Sequence, residues 1–204
     1  MRRVVCRQFA PLDSLTIESA DEPRPAAGEV LVAVRAAGVN FVDALFVQGL
    51  YQIKPPLPFV PGNEVAGVVS EIGSAVTTLQ VGQRVFTNVG LGGYASEVAV
   101  PAKRAVPTPD SMTDGQAATF TQSYSTAWFA LVKRARVATG QSMLVLGAGG
   151  GVGLAAVDVG RSLGMTVIAA ASSEEKRAAA TARGAAAVID SSTEDVKTRA
   201  KELA

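Results

Sequence analysis

The 204-residue sequence predicts an α/β chain in two parts, a mostly antiparallel β segment followed by alternating strands and helices of a parallel sheet. Three observations carry this reading. All ten prolines lie between Pro11 and Pro109 and the eleven aromatics between Phe9 and Phe129, so the composition breaks along the chain, with domains expected over residues 1–122 and 123–204. The first part alternates short β-rich runs with Pro/Gly punctuation. From Ser142 the pattern becomes apolar strand, glycine loop, helix, and then the same again, the βαβ rhythm of a parallel sheet.

Taken in order, strands are expected over Val4 to Phe9, Val30 to Val34, Val65 to Val69, Arg84 to Val89 and Tyr94 to Val100. Pro23, Pro25, Gly28, Pro61-Gly62 and Gly92-Gly93 separate them. Thr113 followed by Gln116 fits a capping box that opens a helix through Ala117 and Ala118. A second helical stretch is expected from Thr126 to Arg136. Met143 to Leu146 reads as the first parallel strand. Val152, Ala156, Val159 and Leu163 then share one helix face, and Gly164 ends that helix. Thr166 to Ala170 forms the next strand, Glu174 to Arg183 a helix stopped by Gly184, Ala187 to Ile189 the third strand, and Thr193 to Leu203 a last helix.

Composition excludes several functions. Nineteen Lys+Arg against eighteen Asp+Glu leave a net charge of +1, with no basic run interleaved with aromatics, so no nucleic-acid footprint is visible. There is no run of about eighteen apolar residues, and charge interrupts Met1 to Arg7 before a signal-peptide core develops; neither a membrane span nor a leader is expected, and the cytoplasm is the default compartment. The sequence has no histidine, which removes Ser-His-Asp and Cys-His triads, His general bases and His-ligated metals. Cys6 is alone, permits no internal disulfide or cysteine zinc cluster, and reads as a small buried hydrophobe.

The chemistry concentrates in Gly147-Ala148-Gly149-Gly150-Gly151-Val152-Gly153, between a strand and its helix. There the backbone must turn tightly and approach a pyrophosphate at the helix N-terminus. The spacing is G-x-x-G-x-x-G through Gly147, Gly150 and Gly153. No Lys-Ser/Thr follows, so this is not a nucleoside-triphosphate P-loop; the bland alternative is a tight turn that binds nothing. At the end of the second parallel strand, where an NAD site places a carboxylate for the ribose 2′-hydroxyl, stand Ala170-Ala171-Ser172-Ser173. Ser172 and Ser173 offer hydroxyls and amides, and Lys176 and Arg177 cations for a 2′-phosphate, so NADPH is expected over NADH. The alternative is a Ser172/Glu175 capping box with Lys176 and Arg177 on a solvated face.

Together with Ala37-Gly38-Val39-Asn40-Phe41-Val42-Asp43, Gly49-Leu50-Tyr51, Pro61 to Val69 and Val81 to Val85, this loop resembles the N-terminal portion of zinc-free medium-chain dehydrogenases/reductases of the quinone oxidoreductase (zeta-crystallin-like) family. Asn40 and Asn63 stand where zinc-containing relatives carry Cys and His. The resemblance implies a chaperonin-10-like (GroES-like) catalytic and substrate domain, then the first half of a doubly wound Rossmann sheet that binds NADPH. The substrate would be a quinone or another activated alkene.

The resemblance also assigns roles. Asn40 is implied at the nicotinamide end, Asp43 as the acid of the same motif, and Tyr51 as a hydroxyl that orients a carbonyl oxygen. Thr126 is implied near the nicotinamide; Gly147, Gly150, Gly151, Val152 and Gly153 hold the pyrophosphate. Ser172, Ser173, Lys176 and Arg177 lie by the 2′-phosphate, and Ser191 stands where some relatives place a Tyr. Structural alternatives are a turn for Asn40, a cap or buried partner for Asp43, a loop aromatic for Tyr51 and an N-cap for Thr126, with Phe41, Phe46 and Phe59 as core. Without histidine or metal, Tyr51 or Asn40 would donate to the accepting oxygen, and solvent would supply the second proton. That suits a quinone; an enone or enoyl thioester, which needs a proton delivered to carbon, is the alternative substrate, and a truncated non-catalytic nucleotide binder the alternative function. The strand count expects a Rossmann sheet truncated after its first half, with its first strand an open edge. Relatives dimerise through the part expected to be missing.

Overall fold

A computed structural model describes the whole chain, Met1–Ala204, which divides into two compact units, Met1–Gln122 and Ser123–Ala204.

In the first unit, β1 (Arg2–Val5) and β2 (Thr16–Ser19) form an antiparallel ribbon, and β3 (Glu29–Ala37), β4 (Glu64–Ile72), β5 (Arg84–Asn88), β6 (Glu97–Pro101) and β7 (Val106–Pro107) a five-stranded antiparallel sheet in the order β6-β3-β4-β5-β7. Its central strands are buried on both faces over part of their length, with runs of consecutive buried residues in β3, β4 and β5. Val30, Val32, Val69, Leu79, Val85, Val100 and Ala105 make one core, and Ala66 and Phe86 make another with Ala117 and Ala118 of α2 (Asp114–Ala118). Thr113 caps α2 as expected: its hydroxyl accepts from Gln116 N, and Gln116 Oε1 accepts from Thr113 N at 2.9 Å. Cys6 is buried beside Val47 and Phe59.

Besides the two-residue strand β7, two elements here escape the sequence pattern: β2 and the short helix α1 (Phe41–Val47), which Asn40 opens. Because α1 buries Asp43 and Val47, four residues apart, Phe41 falls outside that face and is 83% exposed. The core placement expected for Phe41 is thereby corrected, whereas Phe59 is buried and Phe46 packs against the same cluster.

The helix α3 (Phe120–Trp128) begins in the first unit and continues into the second as a π-helical stretch, Phe129–Ala135. Arg136 closes it in the left-handed conformation at φ 52°. The helix therefore starts six residues before the expected Thr126, which lies inside it and not at its N-cap.

The second unit is a parallel sheet of β8 (Ser142–Leu146), β9 (Thr166–Ala171) and β10 (Ala187–Asp190), ordered β10-β9-β8, with α4 (Gly151–Ser162), α5 (Glu174–Ala182) and α6 (Val196–Leu203). β9 is central and buried along nearly its whole length, as parallel strands covered on both faces are. Gly164 and Gly184 follow α4 and α5 at φ +75° and +97°, the left-handed turn that frees the chain for the next strand. The buried residues of α4 are Ala155, Val157, Val159 and Gly160. Val152, expected on that face, is 43% exposed because it occupies the open first turn. β8 is an edge, with Leu146 67% exposed.

Candidate active site

The first unit gathers the motif residues around the N-terminus of α1. Asn40 N donates to Asp43 Oδ2 at 2.8 Å, and the Tyr94 hydroxyl donates to the same oxygen at 2.9 Å. The Asn40 side chain turns toward β4: its Nδ2 donates to Asn63 Oδ1 at 3.2 Å and to Glu64 Oε1 at 2.9 Å. Glu64 Oε2 accepts from the backbone N of Gln122 at 2.8 Å, and Asn63 Nδ2 donates to Gln122 Oε1 at 3.2 Å. Asp43 and Glu64 are 3% and 1% exposed, without a cationic partner in this cluster. Burial pushes both carboxyls above their ordinary values, Asp43 adding to the rise at Glu64, while their hydrogen bonds pull the other way. Burial first, then the Asp43 charge, raises the Tyr94 phenol.

An asparagine amide has two donor hydrogens, and both of Asn40's are engaged. It therefore retains only acceptor capacity, at Oδ1, one lone pair of which faces the backbone N of Asp43 in the capping box of α1, and this corrects the expected role of Asn40 as a donor to substrate oxygen. Tyr51 lies outside the network and packs against Phe46 with ring centroids 4.7 Å apart and the ring planes tilted by 56°. Glu64, Tyr94 and Gln122 are the members that motif reading passed over. A carboxylate opening an apolar strand was the available signal for Glu64, and nothing local marked the other two.

In the second unit the glycines divide the work. Gly147 turns the chain at φ +62°, Gly150 is the N-cap of α4, and Gly153 lies so close to the Gly147 carbonyl and Ala148 that a Cβ there would overlap both. The first helical bond is Leu154 N to Gly150 O at 2.8 Å, leaving the amides of Gly151, Val152 and Gly153 at the open end of a 12-residue helix. Such an end attracts a phosphate. β9 leads into Ser172 and Ser173 with no carboxylate at the turn. The N-cap of α5 is Ser173, accepting from Lys176 N at 3.4 Å, and not the alternative Ser172. Lys176 lays its aliphatic stem along Gly149 and forms no ion pair. Arg177 is tied down: its guanidinium donates to Ala171 O at 3.1 Å and pairs with Asp190 at 3.0 Å. Ser191 follows β10, its N donating to Ala171 O at 3.3 Å, and Thr126 is on an exposed turn of α3. These donors, glycines and the free lysine fit a dinucleotide with a phosphorylated ribose.

Residues 26–110 match the alcohol dehydrogenase GroES-like domain and residues 151–204 the zinc-binding dehydrogenase family, although the latter segment contains neither Cys nor His. A quinone oxidoreductase-like protein 2 homolog of Nematostella vectensis is 42% identical over 176 residues, 86% of this chain and 48% of that protein. The Escherichia coli quinone oxidoreductase complexed with NADPH superposes with a TM-score of 0.91 at 30% identity, covering 100% of this chain and 62% of that one. The CurK enoyl reductase superposes at 0.86 and 28% identity over 94% of this chain and 60% of its own. The chain spans about half the length of the curated relatives it matches.

Proposed function

Because the chain belongs, as an N-terminal portion, to the zinc-free medium-chain dehydrogenases/reductases of quinone oxidoreductase type, we propose that it is part of an NADPH-dependent reductase of quinones. The observation that carries this reading is the Gly147–Gly153 loop at the open end of α4, together with the Ser172-Ser173 turn after β9, which holds no carboxylate, and Lys176 in the first turn of α5, where Glu174 and Glu175 also stand. When bound, NADPH supplies the hydride. The residues of this chain bind and orient. Backbone amides of Gly151, Val152 and Gly153 meet the pyrophosphate; Ser172, Ser173 and Lys176 meet the 2′-phosphate. Asn40 Oδ1 accepts from an N–H or O–H of the nicotinamide end, and Asp43 is a positioning residue that holds the Asn40 backbone and Tyr94. The Tyr51 hydroxyl is the donor for an accepting carbonyl oxygen. Thr126 and Ser191 keep the roles the family resemblance implies, near the nicotinamide and the 2′-phosphate.

The test is loss of NADPH absorbance with 1,4-benzoquinone, run beside calorimetric binding of NADPH and NADH. Turnover and a preference for NADPH are expected; equal affinity for the two nucleotides overturns the cofactor assignment, and binding without turnover overturns the reductase activity of this chain. Similarity to an enoyl reductase favours a second reading, reduction of an enoyl thioester, and a crotonyl thioester in the same assay separates the two.

A further inference from the structure

An asparagine side chain has nearly the same shape either way round, so its neighbours decide which end faces where. Around Asn40 that decision traces to one group. A carboxylate only accepts, so Glu64 Oε1 at 2.9 Å admits the NH2 end of Asn40 and excludes its oxygen. The second hydrogen of that NH2 goes to Asn63 Oδ1, which leaves Asn63 Nδ2 to reach Gln122 Oε1. Glu64 Oε2 holds the backbone N of the same Gln122. Three amides thus run in one direction, anchored at both ends to a single side chain that is 1% exposed. Its seat is shaped for it: a Cβ on Gly38 would come within 2.7 Å of Glu64 Oε1.

We propose that Glu64 is a positioning residue whose carboxylate fixes the orientation of the Asn40 amide, so that Asn40 offers its ligand an acceptor oxygen and selects groups bearing N–H or O–H. The inference rests on the assignment of Asn40 to the reductase site. Glutamine cannot replace this glutamate, although the two have the same shape. Its one oxygen can satisfy Asn40 Nδ2 or Gln122 N, and its NH2 then confronts the other donor.

The experiment uses the 15N-labelled full chain, comparing wild type, Glu64→Gln and Glu64→Asp by hydrogen exchange of the Asn40 side-chain NH2, with thermal unfolding as a check on folding. In wild type both hydrogens are held, and exchange is slow. Glu64→Gln is expected to speed it about 10- to 100-fold, the size of a lost charge-assisted hydrogen bond, while Glu64→Asp, which keeps a carboxylate, stays within about threefold of wild type. Unchanged exchange in a folded Glu64→Gln variant overturns the inference. Should that variant not fold, the wild-type amide decides, and exchange there as fast as that of an exposed asparagine amide overturns the inference. Turnover of 1,4-benzoquinone separates this inference from the reading it rests on. No turnover by wild type defeats the reductase reading while the amide measurement still decides the orientation. With turnover, Glu64→Gln is expected to raise KM for NADPH more than it lowers kcat, and Glu64→Gln combined with Asn40→Asp, which restores an acceptor beside the new amide, is expected to recover most of the affinity. Failure of that rescue overturns the selection of N–H or O–H groups.

Discussion

Replacing Gly153 with alanine tests whether the glycine loop is a cradle or only a turn. The added Cβ would sit 2.8 Å from Ala148 Cα and 3.0 Å from Ala148 C, and closer still to the Gly147 carbonyl, all of them backbone atoms. Ordinary contact begins at 3.4 Å, so α4 and the loop must part by roughly 0.6 Å or more at this point. Overpacking of that kind costs about 1–3 kcal/mol, and for a cooperative unit of fewer than 100 residues each kcal/mol lowers Tm by about 4–8 °C. The same displacement moves the Gly151, Val152 and Gly153 amides off the pyrophosphate; if binding bears the full strain, affinity for NADPH falls about 5- to 150-fold. Gly150→Ala is the control, because its Cβ would meet only Gly147 O at 3.5 Å. Calorimetric titration and thermal unfolding of both variants give the answer. A Gly153→Ala protein with wild-type Tm and wild-type NADPH affinity refutes the close-approach argument, and a Gly150→Ala protein as damaged as Gly153→Ala refutes its specificity.

Other outcomes follow from the same geometry. Lys176→Ala should lower NADPH affinity about 10-fold or more while leaving NADH affinity within about twofold, since only the 2′-phosphate distinguishes them; calorimetry with both reads this directly. Tyr94→Phe removes the hydroxyl that donates to the buried Asp43 Oδ2 and should cost about 1–3 kcal/mol in urea unfolding. Ile189→Ala, at a fully buried position of the β9–β10 core, should cost about 2–5 kcal/mol by the same measurement. Burial raises the folded-state values of Asp43 and Glu64 above their ordinary 3.8 and 4.5. The folded state therefore binds protons more tightly than the unfolded one, and the stability this contributes is full below those ordinary values and lost as pH rises through the raised ones. Wild type should accordingly gain Tm relative to Asp43→Asn as pH is lowered from neutrality toward the ordinary 3.8 of an aspartate, and a flat or opposite difference would contradict the assignment.

The second unit was the more legible in sequence, and the reason is glycine. Gly164 and Gly184 must adopt positive φ, so each ends a helix at a position a reader can find, and the strands between them are too apolar for anything but a covered sheet. In the first unit α1 is only seven residues long, too short for helical periodicity to emerge from Phe41-Val42-Asp43-Ala44-Leu45-Phe46-Val47. The true start of α3 is hard to read because Thr119 ends α2 and leads directly into Phe120, with no loop between the two helices to mark the boundary. Asn40 could be singled out from its motif, yet its chemistry could not, because the donors it lacks are consumed by Asn63 and Glu64, 23 and 24 residues away. Arg177 looked as available as Lys176 until β10 delivered Asp190 to it.

The row of amides from Gln122 through Asn63 to Asn40 also bears on how protons travel. Hydroxyls, waters and imidazoles pass a proton by accepting on one side and releasing on the other, whereas a carboxamide near neutral pH neither gains nor loses one readily. The row therefore transmits geometry and insulates charge: a proton held on Glu64 has no route through Asn40 to a ligand. A substrate whose reduced form takes its proton from bulk water works with such a site unaided. One that demands a proton at carbon has to find the donor outside the row.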